Sequence, residues 1–303
     1  MTISVLLPVY NGELYIYDAV KSILNQTYKD FELIIINDGS TDNSLNILES
    51  FDDKRMIIVN QDNQGLANSL NNGLKIAQGK YIARMDADDI ALPNRFEEQI
   101  AYLTIHPEVK LLGSAIDLID KDGKKIMTDV PYTGNVFLKK FLKKVGNPFK
   151  HPTVIFDREL VLKLGGYNEK IGKYFEDYFL WNEIAHHGKI QILNKVLLQY
   201  RITPGSIMSS IKSENFSKFM LRIINERKFI ESDYFEMLKI KEADNQKLDL
   251  VDKDAVYQKR ISGSMNNRMN KLFIKIEKLV NKNFALYILV SIKKLRVILN
   301  VYS

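Results

Sequence analysis

The chain has 303 residues and no cysteine, which excludes disulfide frameworks, thiolate metal sites and cysteine nucleophiles. Its 46% hydrophobic and 26% charged residues fit a soluble globular protein with a substantial core and exclude a disordered or fibrous chain. The net charge of +6 is uneven: residues 257 to 303 hold ten Lys or Arg against one acid, Glu277, about +9 in the tail and about −3 elsewhere.

The amino terminus, MTISVLLPVYNGE, lacks a basic start and meets Pro8 after a short apolar run, so it reads as a buried strand and not as an export signal. Residues 2 to 9, 32 to 37, 55 to 60 and 79 to 85 are apolar runs of strand length. Amphipathic stretches of helical period alternate with them at 12 to 26, 43 to 51 and 66 to 77. Runs such as FELIIIN are nearly all apolar, as strands covered on both faces of a parallel sheet must be. Thr41 or Asp42 can cap the second helix, and Pro93 with Asn94 opens another that continues through FEEQIAYL. VKLLGSAIDLID and KIMTDV then flank KDGK, whose Asp122-Gly123 pair is a hairpin signal, so the sheet becomes mixed there. HPTVIF, a helix over about 157 to 164, GGYNE, a helix near 178 to 187 and KIQILNKVLLQYR complete this α/β part. Beyond it the pattern is helical only, which predicts an α/β domain over 1–209 and a helical region with a basic amphipathic tail over 210–303.

ARMDADDIALPNRF gathers three aspartates in four positions after the run YIA. If YIARM is a strand, alternation sends Asp86 and Asp88 to one side and Asp89 to the other. Two carboxylates so close raise one another's pKa unless a cation neutralises them, so the pair either keeps a proton or binds a metal. Carboxylate oxygens favour Mg²⁺ or Mn²⁺, which complete their shells with water and substrate phosphates. A plainer account of an isolated D-x-D is a solvated loop, with Asp89 capping the next helix. Open α/β sheets bind ligands at the carboxyl ends of strands, and those ends read VYNGE, NDGSTD and DADD, so three segments can line one crevice.

LLPVYNGELYIYDAVKSILNQTYKDFELIIINDGSTDNS, followed by NQGLANSLNNGLKIAQGKYIARMDADD, resembles the inverting glycosyltransferases of family two. The resemblance covers about the first 200 residues and implies the GT-A fold, a mostly parallel mixed sheet with helices on both faces. Within the family it leans toward bacterial capsule and O-antigen enzymes of the β-1,3-galactosyltransferase-like type. It implies a UDP-sugar donor, with Pro8, Tyr10 and Glu13 near the nucleotide, Asp38 bonded to the uracil, and Asn63 and Gly65 beside the nucleotide sugar. Asp86 would contact the ribose or a metal-bound water, and Asp88 would ligate Mn²⁺ or Mg²⁺ directly. The family usually has two acids before Gly-Ser; Asn37 replaces the first and leaves Asp38 as the only carboxylate for that contact. Arg84 would assist the diphosphate or form a structural salt bridge. Arg201 and Ser206, in QYRITPGSIMSS, match an Arg and a downstream Ser that close over the diphosphate, and Thr203 stands where many relatives have His.

Glycosyl transfer leaves negative charge on the departing UDP, which a divalent Lewis acid stabilises. An inverting displacement also needs a base for the acceptor hydroxyl, and a carboxylate is the simplest choice. KYFEDYFLW offers Glu176 and Asp177, whose place in a helix's first turn is explained by the dipole alone. GGYNE followed by ED nevertheless resembles the family's acceptor-side pattern, which implies that Asp177 is the base and that Glu176 supports it or contacts acceptor hydroxyls. His151, in HPTVIF, matches a His-Pro near the acceptor pocket. Trp181 either stacks on a sugar face or packs in the core. His186 and His187 suit a helix end.

A dinucleotide-binding dehydrogenase needs G-x-G-x-x-G after the first strand, and VYNGEL lacks it. GLKIAQGKY is no P-loop: its spacing is wrong and no Ser or Thr follows the Lys. A nucleotidyltransferase would carry a Gly-rich basic loop where PVYNGE stands. A catalytically silent glycan-binding or scaffold subunit is the alternative from another class. The expected activity is transfer of galactose, glucose or an N-acetylhexosamine from a UDP-sugar to a glycan hydroxyl, with a lipid-linked acceptor, in surface polysaccharide synthesis. The tail interleaves Lys and Arg with apolar residues, and its run FALYILVSI is too short to span a bilayer. It fits an interfacial helix at the cytoplasmic face of the membrane better than a nucleic-acid contact, with a helical bundle or homodimer contact as the other reading.

Overall fold

The apolar runs at the start of the chain become the parallel half of one mixed sheet. The computed structural model describes residues 1–131, 133–171, 175–203, 214–230, 232–234 and 236–240. Strands β1 (Ile3–Val9), β2 (Phe31–Asp38), β3 (Met56–Gln61) and β4 (Tyr81–Arg84) pair in the order β3-β2-β1-β4, all parallel. All eight residues of β2 are buried, because helices cover both faces. Helix α1 (Ile16–Leu24) buries Ile16, Ala19, Val20 and Ile23, at spacings of three and four, in the core that holds Ile3, Val5, Leu7 and Val9. On the opposite face Leu6 and Ile36 meet Gly73 of α3 (Leu66–Ile76). Helix α2 (Ser44–Glu49) joins β2 to β3. The N-cap residue is Asn43 rather than the expected Thr41 or Asp42, and Asp42 Oδ1 accepts the Ser44 N–H at 3.0 Å from just before it.

The remaining strands extend the sheet in the order β4-β8-β6-β9-β5. They are β5 (Ile90–Ala91), β6 (Val109–Ile119), β7 (Lys125–Asp129), β8 (Ile155–Asp157) and β9 (Lys189–Arg201). β8 lies antiparallel to β4 and β6, β9 parallel to β6, and β5 antiparallel to β9. β6 and β7 form the anticipated hairpin, with Gly123 at φ +84° and Asp120 Oδ1 accepting the N–H groups of Asp122 and Lys124. Between them run α4 (Arg95–Ile105), α5 (Asn135–Lys144), a 3-10 turn (His151–Thr153), α6 (Arg158–Lys163) and α7 (Glu176–His187). Asp157 caps α6 by accepting the Leu160 N–H at 3.0 Å. The sequence reading passed over α5, whose Phe137, Leu138, Phe141 and Leu142 recur at helical spacing, and β5, which is too short to show a period.

The chain divides into two compact units, Met1–Lys139 with Asn147–Ile202, and Lys140–Gly146 with Thr203–Ser303. The first holds the sheet. In the second, α8 (Glu214–Glu226) is helical as anticipated, and Arg222 pairs with Asp233 at 2.9 Å and Glu236 at 2.6 Å. Ser206 and the basic tail lie outside the described residues. No helix among the described residues is long and apolar enough to cross a membrane.

Ile35, at 0% exposure in the middle of β2, sets the scale of the core. Ile35→Ala should cost about 2 to 5 kcal/mol, read as a lower urea midpoint with an unchanged m-value.

Candidate active site

Because β1 to β4 are parallel, the loops that follow them leave from one edge of the sheet. The β1–α1 and β2–α2 loops are sewn together there. Asn11 N–H donates to Ser40 Oγ at 3.0 Å and Thr41 N–H to Asn11 Oδ1 at 2.8 Å, with Asn11 at φ +51°. Glu13 N–H donates to Asp42 Oδ2 at 3.0 Å, and Glu13 Oε2 accepts from Asn43 N–H at 2.9 Å. Pro8 is half-buried, and Tyr10 is exposed at the rim. Asp38 is buried and organises the next loop: Oδ1 accepts from Gln64 N–H and Gln61 Nε2, both at 2.8 Å, and Oδ2 accepts from Gly65 N–H at 2.9 Å. Three of a carboxylate's roughly four acceptor positions are thus taken by the protein. Gly39, at φ +72°, lies so close to exposed Asn63 that a Cβ would stand 2.8 Å from the Asn63 nitrogen. Asn37 Nδ2 donates to Asn60 Oδ1 at 2.9 Å, a bond to the neighbouring strand.

After β4, oxygens of Asp86, Asp88 and Asp89 come within 4.8 Å of one another. Asp89 corrects the sequence reading, for it neither points away nor begins a helix. It is 1% exposed, it precedes β5, and its Oδ1 accepts the Arg201 N–H at 2.8 Å, while α4 starts only at Arg95. Arg201 at the end of β9 clamps the same loop. Its Nε donates to the Asp88 carbonyl at 2.8 Å, its Nη1 to the carbonyls of Asp120 and Lys121, and its guanidinium lies 4.4 Å from the Tyr15 ring centre. Arg84 is buried and ion-pairs with Asp86, the salt-bridge alternative of the sequence reading. Arg95, at 0% exposure, donates to the Arg84 carbonyl at 2.8 Å. Burial, opposed by Asp89, lowers its pKa to about 9.

Glu176 and Asp177 form the first turn of α7. Asp177 Oδ2 accepts from Asn147 Nδ2 at 2.7 Å, and Oδ1 accepts from Tyr178 N–H at 2.6 Å. Glu176 is buried, and its Oε1 lies 3.8 Å from His151 Nδ1. Trp181 is fully buried and packs against His151, Phe156 and Tyr167, so its place is in the core. His186 and His187 end α7 on the surface. Asn71 and Asn147 escaped the sequence reading, since Asn at isolated positions carries no signal of its own, and Tyr167 stood inside GGYNE without being given a role.

A model of the family described as "Glycosyl transferase family 2" matches residues 4–165. The chain belongs to glycosyltransferase family 2. An uncharacterized glycosyltransferase of Haemophilus influenzae is 34% identical over 251 residues, 76% of this chain and 78% of that one. The O-antigen biosynthesis glycosyltransferase WbnJ of Escherichia coli is 35% identical over 214 residues, 69% and 82% of the two chains. The crystal structure of S. aureus TarS 1-349 in complex with UDP-GlcNAc superposes with a TM-score of 0.62 at 21% identity, covering 79% of this chain and 72% of that one. The sheet is accordingly that of the GT-A glycosyltransferases.

The acidic group of this family 2 member fits a hard divalent cation. Burial and the Asp86 charge push the Asp88 carboxyl up to about 6. Burial, with Asp88 and Asp86, pushes Asp89 well above the usual range, and its buried Oδ2 finds no hydrogen-bond partner among the described residues. Such a set is short of positive charge, and all its donors are oxygens. A raised carboxyl pKa adds stability that is full below the ordinary value of 3.8 and lost as pH rises through about 6. Without divalent ions, the melting temperature of Asp88→Asn relative to the parent protein should therefore climb between about pH 4 and about pH 6. Mn²⁺ affinity of the parent should fall as pH drops below about 6, measured by calorimetry.

Proposed function

We propose that the protein transfers a hexose from a UDP-sugar to a hydroxyl of a glycan acceptor, with inversion, in bacterial surface polysaccharide synthesis. The carrying observation is that, in a family 2 chain, the loop after β4 brings oxygens of Asp86, Asp88 and Asp89 within 4.8 Å of one another, a set of hard ligands suited to a diphosphate-bound divalent cation. WbnJ, named for O-antigen biosynthesis, supports the substrate class, and TarS with its bound UDP-GlcNAc supports a UDP-sugar donor.

In this reading Tyr10, Pro8 and Glu13 border the nucleotide, and Asp38 acts on it both directly and by holding the loop with Asn63 and Gly65 in place. Asp88 and Asp86 hold Mn²⁺ or Mg²⁺, which supplies Lewis-acid stabilisation of the departing diphosphate. Arg84 orients Asp86 through their ion pair. Arg201 fixes the Asp88 backbone. Asp177 takes the acceptor proton on a carboxylate oxygen, freeing the acceptor oxygen to attack the anomeric carbon opposite UDP. Asn147 donates to that carboxylate and so holds it in place. Glu176 and His151 orient the acceptor end. Asp177→Asn should lower transfer by about 10² to 10⁴-fold, followed as UDP release across a panel of UDP-sugars, while Mn²⁺-dependent UDP binding stays within about twofold.

The domain division is proposed as a catalytic part over 1–209 and a helical part over 210–303. The tail would hold the enzyme at the cytoplasmic face of the membrane beside a lipid-linked acceptor. Truncation after residue 255 should abolish co-sedimentation with anionic vesicles; unchanged sedimentation would refute that attachment.

A further inference from the structure

Asn71, Tyr167 and His151 form a buried polar chain running from α3 to the first turn of α7. Asn71 is 6% exposed, and its side chain pairs with the Tyr167 backbone as a neighbouring strand would. Its Oδ1 accepts the Tyr167 N–H at 2.8 Å, while its Nδ2 donates to the Tyr167 carbonyl at 2.9 Å and to Glu169 Oε1 at 2.8 Å. Gly166 makes this approach possible: it has φ +76°, and a Cβ there would stand 2.5 Å from Asn71 Oδ1. With its backbone pinned, Tyr167 turns inward to 2% exposure, its ring 5.6 Å from that of His151 and 6.2 Å from that of Trp181. Its hydroxyl lies 3.0 Å from His151 Nε2.

The far nitrogen of the same imidazole, Nδ1, faces Glu176 Oε1 at 3.8 Å, with both side chains at most 10% exposed. That separation is too long for a hydrogen bond, but the negative charge of a carboxylate favours the proton on the nitrogen that faces it. Burial, with the nearby Arg84 charge, holds His151 well below the ordinary histidine pKa, so the ring is neutral and has one proton to place. Nε2 is then the bare nitrogen and the Tyr167 hydroxyl the donor. Burial also pushes the Tyr167 pKa well up, which keeps that hydroxyl protonated.

We propose that Tyr167 is a positioning residue for the transfer: its hydroxyl locks His151 in the Nδ1–H tautomer, which turns the positive N–H end of the ring dipole toward the Glu176 carboxylate, while Asn71 anchors Tyr167 from α3. This rests on the acceptor-side reading of Glu176 and Asp177. Helix α3 also begins at the loop that Asp38 holds, so one helix registers the donor loop and the acceptor carboxylates against each other.

Tyr167→Phe keeps the ring and removes only the hydroxyl. Long-range proton–nitrogen NMR correlations of the isotope-labelled full chain read the His151 tautomer without substrate, with His151→Gln identifying its signals. The parent protein should show the proton on Nδ1 alone, and Tyr167→Phe a mixture of tautomers. In the variant kcat should fall roughly tenfold, with the donor KM within about twofold. An Nε2–H tautomer in the parent, an unchanged kcat beside a lowered melting temperature, or equal losses in kcat and donor affinity would each overturn the proposal. Absence of UDP release from the parent with every UDP-sugar would instead refute the proposed reaction, and the tautomer measurement would still decide the lock.

Discussion

Three carboxylates within 4.8 Å of one another repel, and the surroundings of the β4–β5 loop answer that repulsion. Two unit charges 4 Å apart at an effective dielectric of 20 cost about 4 kcal/mol. Arg84, Arg95 and Arg201, each at most 5% exposed, surround the loop and offset part of this. Their hydrogen bonds show how the fold keeps them there: Arg95 donates to the Arg84 carbonyl, and Arg201 to the Asp88 carbonyl. The start of α4 and the end of β9 are thereby tied to the carboxyl end of β4, and the second half of the sheet is arranged about the site of the first.

The two accounts of Glu176 and Asp177, acidic helix start and catalytic pair, are compatible in physical terms. A helix amino terminus favours negative charge, and a first-turn carboxylate is held by a rigid element rather than by a loop. The Asn147 and Tyr178 bonds to Asp177 fix it further. Trp181, one turn along, contributes by packing, since its burial seats α7 against the ring cluster of His151, Phe156 and Tyr167.

The parallel half of the fold was legible because FELIIIND and its neighbours are buried on both faces, which leaves an uninterrupted apolar signature. The hairpin was legible because Asp122-Gly123 is local chemistry. Asp89 was not: in sequence it is one more acid before a proline, and its partner backbone is 112 residues away. Arg84 could be narrowed to two roles, and burial beside Asp86 decides for the ion pair. Asn71 illustrates the same limit, since its three bonds go to residues 96 and 98 positions further on. Local patterns revealed the elements and the charged motifs, whereas the residues that hold those motifs in place depend on contacts that only the folded chain makes.

The clamp formed by Arg201 has a consequence for the newborn chain. Synthesis proceeds from the amino terminus, and early segments can fold before later ones emerge. The first four strands and the acidic loop leave the ribosome well before β9, yet the loop is fastened by the last residue of that strand. A nascent chain therefore carries its acidic loop unfastened until β9 has emerged, so completion of the acidic cluster's surroundings marks the end of the sheet's synthesis rather than its beginning.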